Sequence, residues 1–284
     1  MTKKPKTLNE YLEKSPLTKD KKLIAPMTET HCHLDMLKDI DLKELQQTLG
    51  SMNIARLITI GTSKKNFDKV REIQNSSKSI YFTLGTHPHE AKDFGDEDIE
   101  YIRNICKTES QSLVAVGEIG LDYYYDYSPR ETQIKVFKKY LDLAIELNLP
   151  VVIHTRDADS DMLEILEEYA PRMNKKGVVH SFSSGLELGK RAAELGFFLG
   201  FNGIITFKNA ELVRDAVRQT PLNQILAETD SPFLTPHPFR GRQNDPTYLP
   251  LVIEKIAEIK EVSLQEAFSV IESNATSCFF TKQS

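Results

Sequence analysis

From about Leu23 onward, short runs of apolar and β-branched residues alternate with stretches whose apolar positions recur at helical spacing. The runs cover residues 27–33, 55–61, 80–85, 113–118, 151–154, 178–180, 197–201 and 225–230. Their near-continuous apolar character, without strict alternation, suits parallel strands covered on both faces. Two of the intervening stretches carry helix-start signals. Ser128-Pro129-Arg130-Glu131 combines an N-cap serine, proline at the first helical position and a capping-box glutamate. Ser263-Leu264-Gln265-Glu266 repeats the box before a last helix. Eight strands alternating with helices predict an α/β fold, a (β/α)8 TIM barrel of parallel strands with its site at the C-terminal face. A doubly wound open sheet is the competing arrangement, but no glycine-rich dinucleotide fingerprint follows the first strand. Residues 1–22 are patterned differently, rich in lysine with Leu8, Tyr11, Leu12 and Leu17 as their few apolar positions. They are expected to form an N-terminal extension, a tail or one short helix, ahead of a barrel spanning 23–284.

Composition narrows the class. A chain of 284 residues accommodates one such barrel as a single domain, and 40% hydrophobic with 27% charged residues is ordinary for a soluble globular protein. A net charge of −5 argues against a protein that holds nucleic acid by bulk electrostatics, though not against one that grips a few phosphates locally. Three cysteines offer no disulfide framework and point to a reducing, cytoplasmic setting. No apolar stretch approaches the ~18 residues of a membrane span, and the N-terminus lacks a signal-peptide core. Neither a membrane association nor an obligate protein partner is expected.

In such barrels catalytic groups sit where strands end and βα loops begin. Six of the seven histidines, His31, His33, His87, His89, His154 and His180, fall at or just past predicted strand ends, and His237 follows the eighth. Spacing of i, i+2 turns His31 and His33 to one face of an extended strand, with Cys32 turned away as a buried small hydrophobe. Glu118 closes the fourth run and Asp230 the eighth, inside a barrel where an unpaired carboxylate would be costly. His31, His33, Glu118, His154, His180 and Asp230 are therefore expected to converge on one mouth. A single catalytic ion needs about three protein ligands, so six suit two divalent ions bridged by Glu118 and by a hydroxide. Ligand chemistry leaves the metals open among Mg, Mn and Zn, with four imidazoles favouring zinc, manganese or cobalt over magnesium.

At these residues the sequence resembles the TatD family of metal-dependent deoxyribonucleases, within the amidohydrolase superfamily. The similarity runs from about Met27 to Phe280. It is carried by Thr30-His31-Cys32-His33-Leu34-Asp35, Gly85-Thr86-His87-Pro88-His89, Gly117-Glu118-Ile119-Gly120-Leu121-Asp122-Tyr123-Tyr124, Ile153-His154-Thr155-Arg156-Asp157 and Glu228-Thr229-Asp230-Ser231-Pro232, with Arg240-Gly241 before Asn244. The resemblance implies that His31, His33 and Asp230 hold one metal and His154 and His180 the other. It implies Glu118 as the bridge, and Asp230 as the group that orients or deprotonates the attacking water. It further implies 3′–5′ exodeoxyribonuclease action on single-stranded DNA ends. Glu29 stands where the family usually has Asp. Arg156, Lys208 and Arg240 are positioned to grip phosphate, although Arg156 has the alternative of pairing with Asp157 or Asp159. His87 and His89 are expected to line the mouth as donors. One of Tyr123, Tyr124 and Tyr125 is expected to stack on a base or to pack. The competing activity is hydrolysis of an ester or amide by the same architecture, as in a D-aminoacyl-tRNA deacylase.

Overall fold

Eight strands lie side by side in chain order, each hydrogen-bonded to the next in parallel register. They are β1 (Met27–Cys32), β2 (Ile54–Gly61), β3 (Ile80–Leu84), β4 (Leu113–Asp122), β5 (Val151–Arg156), β6 (Gly177–Val179), β7 (Phe198–Phe201) and β8 (Ile225–Ala227). A helix follows each strand, as the apolar periodicity predicts. The computed structural model describes residues 7–13, 15, 18–19, 22–23, 26–39, 41–125 and 127–281. The seam between β8 and β1 is closed just beyond β8, where Asp230 N donates to His31 O (2.9 Å) and His33 N to Ser231 O (2.8 Å). The result is a nearly closed TIM barrel.

Period-2 geometry places successive odd or even positions of a strand on one face. On β5, Val152 and His154 share the inner face. Beyond β6, His180 continues the row begun by Val178. The lower interior is filled by Ile58, Ile60, Val152, Val178 and Leu226, and Ala275, Cys278 and Phe279 from the last helical turns pack against that cluster. An apolar floor thus leaves the upper layer free for polar side chains.

Three boundaries differ from the sequence reading. β4 does not stop at Glu118 but runs to Asp122, with a register shift against β5 between Val116 and Ile119. β8 stops at Ala227, and residues 228–230 continue as irregular chain. The helix Arg130–Leu147 is capped by Pro129, so Ser128 is not its N-cap. Ser128 Oγ instead donates to His89 O (2.9 Å) and accepts from Lys92 N (3.0 Å), a better use for a buried hydroxyl beside the β3 loop. Ser263 does cap the last helix, Leu264–Ala275, accepting from Glu266 N.

Within the N-terminal extension, Leu8–Leu12 is helical and buries Leu12. Tyr11 Oη donates to Glu254 (2.6 Å), fastening it to the helix Leu249–Lys260. Lys3, Lys4, Lys6, Lys14 and Lys21 lie outside the described residues. Among the described residues no helix is long and apolar enough to cross a membrane.

Candidate metal centre

Strand ends bring His31, His33, Glu118, His154, His180 and Asp230 together, as their spacing predicts, around a pocket of about 340 Å³. The geometry turns on Glu118, a buried carboxylate. Its Oε2 lies 3.6 Å from His31 Nε2 and 3.9 Å from His33 Nε2. Its Oε1 lies 2.8 Å from His180 Nε2, 3.2 Å from His154 Nδ1 and 3.4 Å from His87 Nε2. Asp230 Oδ1 completes the first group, 3.5 Å from His33 Nε2 and 3.8 Å from His31 Nε2. One oxygen therefore serves each group.

Backbone shape makes this approach possible. Gly120 lies at φ +138°, and a Cβ there would fall 2.0 Å from His154 O, so only glycine lets β4 run this close to β5. Gly200 has a related purpose, because a Cβ on it would meet Glu228 Oε2 at 2.4 Å. Cys32 is buried and donates to Ile58 O, away from the pocket.

Groups behind the rings of His154, His180 and His87 bear on which nitrogen faces the pocket. Asp122 Oδ2 receives His154 Nε2 at 3.0 Å and His89 Nε2 at 2.9 Å. His154 thereby presents Nδ1 with a free lone pair. Glu228 Oε1 stands 3.6 Å from His180 Nδ1 and leaves Nε2 towards Glu118. His87 Nδ1 accepts from His89 N (3.2 Å), which puts the proton of a neutral ring on Nε2, towards the pocket. Sequence reasoning missed Asp122 and Glu228. Asp122 carried a usable signal, since it lies four residues beyond Glu118 on the same strand face.

Charge is balanced against burial throughout. Burial alone would raise the Glu118 carboxyl, but His180 and His87 beside it, with hydrogen bonds from His154 and His180, hold it well below the usual range. Burial likewise opposes the ionised form of Asp230, yet His33, His31 and His180 keep it low. Despite burial, His180 is pushed well up by Glu118 and Glu228. Burial dominates at His87 and drives it well down, so that ring is neutral near pH 7.

The donor set fits divalent cations. Nδ1 and Nε2 of His31, Nδ1 of His33 and Nδ1 of His180 are buried without a hydrogen-bond partner among the described residues. An orphaned buried nitrogen is costly in protein alone, and His31 Nε2, 3.6 Å from Glu118 Oε2 and 3.8 Å from Asp230 Oδ1, points to where a metal ion would satisfy it. Stacking of His31 on His180, centroids 3.8 Å apart, adds further crowding of polar rings.

The other predicted residues are placed unevenly. His89 lines the pocket beside His87, in a 3-10 turn. Tyr123 does not face it, because its hydroxyl is tied to Asp161 (2.5 Å) and its ring lies under Arg130. Arg156 forms no ion pair among the described residues and stacks on Tyr124 beside a neighbouring cleft. Arg240 lies over Phe207 at 4.1 Å, and Lys208 is exposed; neither lines the metal pocket. His237 stands in a different cleft, with Tyr11 and Glu254.

Comparison with known proteins adds the family. The model of the family described as TatD related DNase matches residues 28–280. The chain belongs to the TatD family. The uncharacterized metal-dependent hydrolase YabD of Bacillus subtilis is 38% identical, over 88% of this chain and 98% of that relative. The uncharacterized metal-dependent hydrolase YcfH of Escherichia coli K12 is 35% identical, over 89% and 95%. The crystal structure of YjjV, a TatD homologue from Escherichia coli K12, superposes with a TM-score of 0.83 at 28% identity, covering 90% of this chain and 98% of that one. A TatD family hydrolase from Entamoeba histolytica, 21% identical with a TM-score of 0.79, shares the fold. This TatD chain is accordingly a metal-dependent hydrolase.

Proposed function

We propose that the protein hydrolyses DNA phosphodiester bonds as a 3′–5′ exonuclease on single-stranded ends, using two divalent ions that share Glu118. The observation that carries the reading is the division of Glu118, with Oε2 facing His31 and His33 and Oε1 facing His87, His154 and His180. Two such ions, when bound, acidify a water molecule and neutralise charge developing on the attacked group. The family's description as TatD related DNase supports DNA as the substrate.

The chain's own groups have separable tasks. Asp230, ionised and at the pocket, is placed to accept the proton of the attacking water. His87, neutral with its proton on Nε2, is placed to donate to a phosphoryl oxygen. Asp122 fixes the ring of His154 by a hydrogen bond before substrate arrives, and Glu228 stands as a charge behind that of His180.

A second reading is favoured by one observation. Among the described residues no lysine or arginine lines the metal pocket, and a carbonyl substrate needs no such grip. Ester or amide hydrolysis, for instance of D-aminoacyl-tRNA, is therefore the alternative. The test incubates purified protein with a 5′-labelled single-stranded oligonucleotide and, separately, with aminoacyl-tRNA, adding Mg, Mn or Zn, with and without chelator. Stepwise 3′ shortening that chelator abolishes supports the nuclease. Intact DNA alongside deacylated tRNA replaces it with the alternative.

A further inference from the structure

Among the described residues, the large apolar side chains most exposed to solvent gather at one end of this barrel. They are Met36, Tyr124, Tyr125, Tyr127, Leu212 and Phe233. Each lies beyond the C-terminal end of a strand, in the segments following β1, β4, β7 and β8. Isolated exposed apolar residues are normal and scatter over a surface. A set gathered around the mouth of an active site marks a surface that meets a ligand.

The aromatic members form two groups, one on each side of Glu118. Phe233, 52% exposed, has its ring 6.1 Å from His33, on the Oε2 side. Tyr125 and Tyr127 lie 5.3 and 4.9 Å from His89, which shares Asp122 with His154 on the Oε1 side. Those two tyrosine rings are parallel within 3°. Tyr124, 56% exposed, carries the Arg156 guanidinium 3.8 Å from its ring centroid. A phosphodiester seated in the pocket would have one neighbouring nucleoside directed to each group.

Charge selects the occupant. The pocket wall holds Glu90, Glu118 and Asp230 and, among the described residues, no lysine or arginine, in a chain of net charge −5. Beyond the phosphate at the ions, a polyanion gains little electrostatic attraction, so the remaining affinity must come from uncharged contacts. Nucleobases supply them, because every base has a face that stacks on an aromatic ring or a guanidinium plane.

We propose that Phe233 on one side, and Tyr124, Tyr125 and Tyr127 with Arg156 on the other, are stacking platforms for the unpaired nucleobases flanking the scissile phosphodiester. This deepens the nuclease reading and rests on it. A paired base keeps its faces against its neighbours in the duplex, so the platforms select unpaired ends.

The test measures kcat/KM of the full-length, metal-loaded protein and of Phe233→Ala, Tyr124→Ala and Tyr124→Phe. Substrates are a single-stranded oligonucleotide and the same strand with base-free nucleotides at its two 3′-terminal positions. Metal titration of each variant checks that the centre is intact. Each alanine variant is expected to lose about tenfold on the base-bearing strand and less than about twofold on the base-free one, as the loss of one stacked base implies. Tyr124→Phe, which keeps the ring, is expected to match the wild type. Equal losses on both strands, or none on either, overturn the platforms while leaving the nuclease standing; a rim that serves a protein partner gives the latter result. A wild-type protein that cleaves neither strand removes the nuclease reading and the platforms with it.

Discussion

Glu118 is the residue on which two sets of imidazoles meet, and its replacement separates chemistry from folding. It contributes no apolar core, so Glu118→Ala is expected to fold with the wild-type circular dichroism spectrum while losing nearly all hydrolysis, roughly 1,000-fold or more. Activity within tenfold of wild type would remove its bridging role. The titration behaviour around it gives a second expectation. Against the pull of burial, His33, His154 and His180 are shifted upward by Asp230, Asp122, Glu118 and Glu228. A ring whose affinity for protons is raised must lose that proton to ligate an ion, so metal affinity should rise with pH and loading should release protons. Calorimetric titration in buffers of different ionisation enthalpy reads that release directly; a heat independent of buffer would contradict it. At this scale the six candidate ligands were legible because strand-end placement of histidine and carboxylate is a pattern in one dimension. The directions of the Arg240 and Tyr123 side chains were not. Arg240 and Tyr123 sit close to the motif in sequence, but Phe207 and Asp161, distant residues, decide where their side chains go.

Between residue and molecule, the decisive element is β4, which continues four residues beyond the bridge instead of ending at it. The extension sets Asp122 beneath two histidines, and its backbone is held at both ends: Asp122 N donates to Gln133 Oε1 at 2.8 Å, and Gln133 Nε2 donates back to Asp122 O at 3.0 Å. Asp122→Asn keeps the shape but weakens the acceptor for His154, and a loss of about 10–100-fold in metal affinity is expected, measured by competition with a chromogenic chelator. Unchanged affinity would reduce Asp122 to a loop anchor. Gly120→Ala tests the element itself. A methyl group 2.0 Å from a carbonyl oxygen, on a backbone at φ +138°, should cost about 3 kcal/mol or more and lower the thermal midpoint by several degrees. The apolar runs located all eight strands, but not their ends, because the last residues of β4 and the irregular stretch after β8 follow the needs of the site more than hydrophobic pattern. The displaced cap at Ser128 has the same origin, as its hydroxyl is taken by the β3 loop.

For the whole molecule, alternation of apolar runs was enough to specify the barrel, since eight covered parallel strands have few other ways to close. Of the rim of exposed aromatics the sequence marked only Tyr124 and Tyr125, because side chains that await a ligand obey no periodicity. The seam described above has a consequence of its own. β1 and the chain beyond β8 meet through a few backbone bonds and through Glu29, whose Oε1 receives both His31 N and Thr229 N at 3.0 Å. His31 and His33 come from one lip of this junction and Asp230 from the other. An ion held by all three would act as a clasp across the least laced part of the ring, coupling cofactor occupancy to mechanical closure. Amide hydrogens at Glu29–His33 and Thr229–Ser231 should then exchange more slowly on metal addition, whereas those of β3 keep their rate; uniform protection throughout the strands would show that occupancy and closure are independent.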